Sequence, residues 1–366
     1  MIVMNVVIRA DASVQIGTGH VMRCLTLAEQ LKERGTDVAF ICREHEGHLC
    51  EFIRDKGFHV FALPGKDVKI NEPRNTHEKW LGVPQERDAA ETIEVLKTIR
   101  PDLLIVDHYG IDHIWEQTIR PYVHNIMVID DLADRPHQCD YLLDQNFYEQ
   151  MNRRYDALVP RHCSLFLGPK YALLRKEFRQ TDTRVRNQLN HVLVFFGGSD
   201  LSNETARALQ AIQHIKSRTL TADVVLGKNN PYKDELKARY AEDERIHFHI
   251  HVDYMARLMN RADVCIGAGG STTWERCYLG LPTIMMTVAK NQEEIARDLS
   301  ENGIVHYLGK KEDVTPEMIA QSLEQLIQHP DQLRQYSQKS VKLMEKKEMH
   351  MENLFQTILQ KGDHSH

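Results

Sequence analysis

Glycine-bearing loops that lead into polar side chains are where this chain could do chemistry. In Gln15-Ile16-Gly17-Thr18-Gly19-His20, Gly17 and Gly19 let backbone approach a ligand closely, and the helix expected to follow offers its amides to an anion. His20 falls at that helix start, where the positive dipole end favours a neutral imidazole and so a candidate general base. A tight turn with an incidental histidine is the plainer alternative. In Asp107-His108-Tyr109-Gly110, at the end of the apolar run Leu103 to Val106, Asp107 could orient another polar group and Tyr109 could hydrogen-bond a substrate oxygen or water. An ordinary strand-end turn has the same look.

The stretch from Gly267 to Glu275, GAGGSTTWE, carries the stronger anion-binding logic. Gly269, Gly270, Ser271 and Thr272 lead straight into a predicted helix N-terminus that can receive a diphosphate, and Glu275 lies one turn in, within reach of a ribose diol. It is neither a Walker loop nor a dinucleotide fingerprint, since Gly-Lys-Ser/Thr and G-x-G-x-x-G are both missing. A helix cap without function is the alternative. Gly198, in Gly197-Gly198-Ser199-Asp200, and the pair Asn291-Gln292 are loop residues that could line the same crevice, though each alone reads equally as a plain turn.

The elements that must position these residues alternate between short β-branched runs and amphipathic helical pattern, which predicts parallel sheets built from βαβ units. Strands are expected at Asn5 to Arg9, Val38 to Cys42, Leu103 to Asp107 and Ile126 to Asp130, and then at His191 to Phe196, Asp223 to Leu226, Ile246 to Ile250, Val264 to Ile266 and Thr283 to Met286. The clearest helix runs from about Val21 to Arg34, with Gly35 as its stop. A polar run around Arg175 to Asn190 marks the candidate junction, giving domains at 1–180 and 190–330 and a helical, charged segment with a tail at 331–366. The fold class expected is α/β, two Rossmann-like domains facing a central cleft. The polar segment from Gly65 to Glu86, with its isolated Trp80, has no place in this scheme.

At 366 residues the chain exceeds what a single core usually serves. With 42% hydrophobic and 27% charged residues it is globular, and a net charge of -6 argues against a general nucleic-acid or anionic-membrane binder. Met1 to Ala10 does not read as a signal peptide, and the longest apolar runs fall far short of the roughly 20 residues that span a bilayer. Seven scattered cysteines without C-x-x-C fit a reducing cytoplasm. On a strand, His247, His249 and His251 would share one face as zinc ligands do, but a half-exposed strand gives the same alternation and no carboxylate or cysteine is placed beside them in sequence. His45 and His48 lack the H-E-x-x-H spacing, so no metal site is expected. No feature sets an oligomeric state.

Taken together, RADASVQIGTGHVMRCLTLAEQL, LLIVDHYGID, VIDDLADRPHQCDYLLDQN, GPKYALLRKEFR, FFGGSD and the region from GAGGSTTWE to KNQ resemble the UDP-sugar hydrolases of pseudaminic acid biosynthesis. These are relatives of the two-Rossmann glycosyltransferases that include the lipid II-forming enzyme. The resemblance implies removal of UDP from UDP-2,4-diacetamido-2,4,6-trideoxy-β-L-altropyranose by water, with inversion at the anomeric carbon and with neither metal nor cofactor. It carries the base role to His20 and catalytic roles to Tyr109 and Asn291. Phosphate and ribose contacts go to Gly269 to Thr272 and Glu275, and contact with uracil to the backbone from Val252 to Met255. A glycosyltransferase using the same base on an acceptor hydroxyl is the enzymatic alternative, and a nucleotide-sugar binding module the non-catalytic one.

Overall fold

The computed structural model describes residues 3–65, 73–215 and 219–360. Among these, the chain divides into two compact units: unit 1 takes in those of Met1–Asn146, Gln150–Leu173 and Lys346–His366, and unit 2 those of Phe147–Glu149 and Leu174–Glu345.

Unit 1 holds a seven-stranded sheet of β1 (Asn5–Ala10), β2 (Asp37–Arg43), β3 (His59–Leu63), β4 (Leu103–Asp107), β5 (Asn125–Ile129), β6 (Tyr141–Asp144) and β7 (Ser164–Leu167), in the order β3-β2-β1-β4-β5-β6-β7. Every pairing is parallel. Helices α1 (Gly19–Lys32), α2 (Cys50–Asp55), α3 (Gln85–Ile99) and α4 (His113–Ile119) connect the strands. Alternation along β1 explains why the sheet is covered on both faces: Val6, Ile8 and Ala10 enter one core with Cys24, Leu27 and Leu31 of α1, whereas Val7 enters the other with Leu96 and Trp115.

Unit 2 repeats the plan with β8 (His191–Phe195), β9 (Thr221–Leu226), β10 (Ile246–Ile250), β11 (Val264–Ala268), β12 (Thr283–Thr287) and β13 (His306–Lys310), in the order β10-β9-β8-β11-β12-β13. Its helices are α5 (Lys176–Arg179), α6 (Glu204–His214), α7 (Lys233–Arg239), α8 (Met255–Arg261), α9 (Thr272–Tyr278), α10 (Glu293–Glu301), α11 (Pro316–Gln328) and α12 (Pro330–Leu343). In each sheet the strand order reverses at one point, between β1 and β4 and between β8 and β11. The connections there leave in opposite directions, so the carboxyl edge at that point opens as a crevice.

Two regions differ from the sequence reading. The candidate junction at Arg175 lies beside the division between the units, and the polar run that follows it, expected between the domains, belongs to unit 2. There buried Arg186 donates to the carbonyls of Met259, Asn260 and Ala262, the unpaired end of α8. The segment 331–366 is divided. Helix α12 stays with unit 2, while α13 (Lys347–Gln360) returns to unit 1 and buries Met351, Leu354, Phe355 and Ile358, four positions on one helical stripe, in the core shared with β1 and α1. It is a core helix rather than a surface one. The expected frayed tail after Lys361 lies outside the described residues. Among the described residues no helix is long and apolar enough to cross a membrane.

Candidate active site

Because α1 starts directly after the β1 loop, and β4 is the next strand in the sheet, His20 and Asp107 meet at the crevice of unit 1. His20 Nδ1 lies 2.5 Å from Asp107 Oδ1. Arg23, one turn further along α1 and therefore on the same side of the helix, grips both oxygens of Asp107 through Nε and Nη2, each at 2.6 Å. Burial alone would push the Asp107 carboxyl up, but the charge of Arg23 and the hydrogen bonds from Arg23 and His20 hold it well below the usual carboxylate range. Asp107 is therefore ionised and accepts, so the shared proton sits on His20 Nδ1. In the neutral imidazole Nε2 then keeps the lone pair, the atom a general base needs.

Tyr109 closes the other side. Its ring packs edge-on to His20 with centroids 4.4 Å apart, and its hydroxyl donates to Asp131 Oδ1 at 2.5 Å. Burial, and then the charge of Asp131, push the phenol well above its ordinary range. Asp131 also receives Arg23 Nη1 at 2.9 Å. Gly110 is glycine for a steric reason, since a Cβ there would lie 2.8 Å from the His77 carbonyl.

His108, between Asp107 and Tyr109, points into the protein. It accepts from the Gly110 amide at 3.0 Å and faces Asp11 at 3.5 Å. Burial holds its imidazole down at about 3. Asp11 in turn belongs to a fully buried lattice, in which Arg9 pairs with Asp11 at 2.5 Å and with Asp88 at 2.7 Å, and Arg43 pairs with Asp88 at 2.7 Å. This lattice is what RADAS encodes, and it fixes the floor under the crevice.

The segment that the sequence left unplaced contributes a wall. Within its described part, His77 and Trp80 stand against Tyr109, with ring centroids 5.5 Å and 5.8 Å away. Gly17 and Gly19 are exposed in a small turn closed by the Gly17 amide on the Ser13 carbonyl, and a Cβ at either would meet open space.

In unit 2 the other candidates lie along the carboxyl edge of one sheet. Gly198 follows β8, Val252 and Met255 follow β10, Gly269 to Thr272 follow β11, and Asn291 and Gln292 follow β12. Two of these loops touch, because a Cβ on Gly269 would lie 3.3 Å from Gln292 Cβ. Gly270 has φ of 130°, a conformation open essentially to glycine alone, and Gly270 and Ser271 are exposed. Asn291 is exposed, whereas Gln292 is turned back to accept from the Val288 amide. Met255 is buried at the start of α8.

Glu275 differs from its expected state. It is buried and both its oxygens are taken in a fork by Arg175, at 2.7 Å and 3.0 Å. Burial raises its carboxyl and Arg175 opposes that. Arg175, within GPKYALLRKEFR, went unread because nothing local pairs it with a residue 100 positions away.

The histidines near residue 250 do not act as a set. His249 Nε2 lies 2.9 Å from Asp223, which also holds His191 Nε2 at 2.8 Å and receives Arg261, while His251 sits beyond β10 with φ of 51°. The carboxylate missing from the local sequence comes from the neighbouring strand.

Two parallel-sheet α/β units of this strand order, each with its polar loops at the carboxyl edge, make the fold that of the GT-B glycosyltransferases. Residues 192–354 match the glycosyltransferase family 28 C-terminal domain. The crystal structure of Acinetobacter baumannii MurG shares the fold with a TM-score of 0.65 at 16% identity, over 97% of this chain and 99% of that one. By sequence, the chain is similar to the UDP-2,4-diacetamido-2,4,6-trideoxy-β-L-altropyranose hydrolase of Campylobacter jejuni, 29% identical over 300 residues that cover 82% of this chain and 97% of the relative. It is also 27% identical to an uncharacterized protein of Methanocaldococcus jannaschii over 81% of this chain, but spans only 58% of that protein's length.

Proposed function

We propose that the protein is a UDP-sugar hydrolase that releases UDP from UDP-2,4-diacetamido-2,4,6-trideoxy-β-L-altropyranose, with water attacking the anomeric carbon and inverting it. The observation that carries this reading is the His20–Asp107 pair, which leaves Nε2 as the proton acceptor at the crevice of unit 1. A water molecule gives its proton to Nε2 as its oxygen bonds to C1. The bond from C1 to the diphosphate oxygen breaks, and UDP leaves as an anion. UDP is a good leaving group, so backbone amides around Gly270 to Thr272 suffice to stabilise the departing charge.

Tyr109 and Asn291 position the sugar or the water in this scheme. Gly17, Gly19 and Asp107 shape the sugar side, and Gly198, Val252, Met255 and Gln292 line the nucleotide side. Glu275 keeps a lone pair on each oxygen beyond those used by Arg175, so a ribose diol can still donate to it. The hydrolase relative, aligned along nearly its whole length, supports this choice of substrate and reaction.

A UDP-sugar glycosyltransferase is the second reading, favoured by the family 28 domain match. Measuring UDP release from the diacetamido sugar nucleotide with no acceptor present separates the two. Steady turnover is expected, and turnover that appears only when an acceptor alcohol is added would overturn the hydrolase reading.

A further inference from the structure

We infer that Arg23 is a positioning residue that couples His20 to Tyr109 by clamping the carboxylates of Asp107 and Asp131. For its kinetic consequence this inference rests on the hydrolase reading above. The guanidinium spends Nε and Nη2 on Asp107 and Nη1 on Asp131, and those two carboxylates hold the His20 ring nitrogen and the Tyr109 hydroxyl respectively. One planar cation thus fixes the distance between the two groups that would face the sugar. Lysine, a single point charge, cannot hold two carboxylates in that geometry.

The arrangement does a second thing. Arg23 Nη2 approaches His20 Nδ1 to 3.2 Å. With the Nδ1 proton kept on His20 and hydrogen-bonded to Asp107, two donors face each other there, so the approach is a repulsion rather than a bond. Asp107 orients the imidazole, and Arg23 neutralises the same carboxylate. The other groups near the ring are the Tyr109 phenol at its edge, His77, His108 and the Cys24 thiol, which donates to Asp107 at 3.3 Å. None of these is an anion, and the second carboxylate, Asp131, is itself held by Arg23, so Arg23 is the group that balances both.

The test uses the full chain labelled with 15N-histidine, the His20 signal being identified by its loss in His20→Gln. In the unsubstituted protein, His20 is expected with Nδ1 protonated and Nε2 bare. In Arg23→Met the His20 titration midpoint should rise by about one pH unit, since the cation is removed and the carboxylate stays. Arg23→Lys should bring the midpoint back while kcat stays at least ~10-fold down, because charge is restored without the two-armed grip. The acid limb of kcat/KM should follow the midpoint in each case. Arg23→Gln replaces Arg23→Met if the latter folds poorly. An unchanged midpoint in a folded variant, or full recovery of kcat by lysine, overturns the inference. The nuclear resonance readout needs no turnover, so a protein whose midpoints move as expected but which releases no UDP refutes the hydrolase reading alone.

Discussion

At the crevice of unit 1 the chain buries Arg9, Asp11, Asp88, Asp107 and His108 against one another, whereas the matching edge of unit 2 carries glycines and exposed main chain. The strand orders are equivalent, so the difference is one of furnishing rather than of fold. Side chains locked by ion pairs hold a proton acceptor to a fixed direction, which chemistry requires. Amides on a glycine loop can meet a diphosphate anywhere along its length, which binding requires. Under the proposed function, binding would belong to the second edge and the reaction to the first.

Four experiments break or sharpen that contrast. His20→Ala should cost about 10²- to 10⁴-fold in kcat with modest change in KM, and near-normal turnover of the diacetamido sugar nucleotide would remove the base from unit 1. Gly270→Val forces a branched residue to φ of 130° where an added Cβ would meet nothing within 4 Å, so the expected penalty is one of backbone conformation. It should weaken UDP binding by roughly tenfold or more by calorimetry, with turnover at saturating substrate far less affected.

The third concerns pH. His108 is held at about 3, below its ordinary 6.5, because it is buried uncharged. The unfolded chain takes up that proton first, so the stabilisation is complete above pH 6.5 and is lost as pH falls from there towards 3. Asp144 runs the other way: burial, then the charge of Asp131, push it up to about 8, so its contribution is lost as pH rises from its ordinary 3.8 through 8. The two slopes oppose each other between pH 4 and 6.5, so the measurement is a difference. In urea unfolding, His108→Asn should lose less stability than the unsubstituted protein as pH falls from 6.5 to 4, and an identical pH dependence would refute the assignment. The smallest effect belongs to Trp80→Ala, expected to lower kcat/KM by about 2- to 10-fold through loss of ring packing on Tyr109, with the circular dichroism spectrum unchanged.

How much of this was legible depended on whether the signal was local. β-branched runs named β1, β4, β8 and β12 within a residue or two, and the strand-end position of Asp107 and Tyr109 followed from the parallel plan. Strands β3, β6, β7 and β13 escaped because short runs such as Ser164–Leu167 hold too few residues to show a period. Arg23 looks like any charged residue on a helix until β4 brings a carboxylate to it, and Asp131 is one of two adjacent aspartates with nothing to choose between them. The stripe of α13 is visible at Met351, Leu354, Phe355 and Ile358, but the charges around it disguised a core face as a solvent face. Which core it joins is a matter of long-range topology, which no window of sequence contains.

The return of α13 has a consequence for synthesis. Unit 2 is, in chain order, an insertion within unit 1: its residues up to Glu345 are all synthesised before the helix that completes the first core. The earlier half must therefore wait, its sheet uncapped at the face where Met351 and Phe355 will sit, while the later half can finish. A stop codon shortly before Lys347 would leave unit 2 whole and strand an apolar surface on the very unit that carries His20.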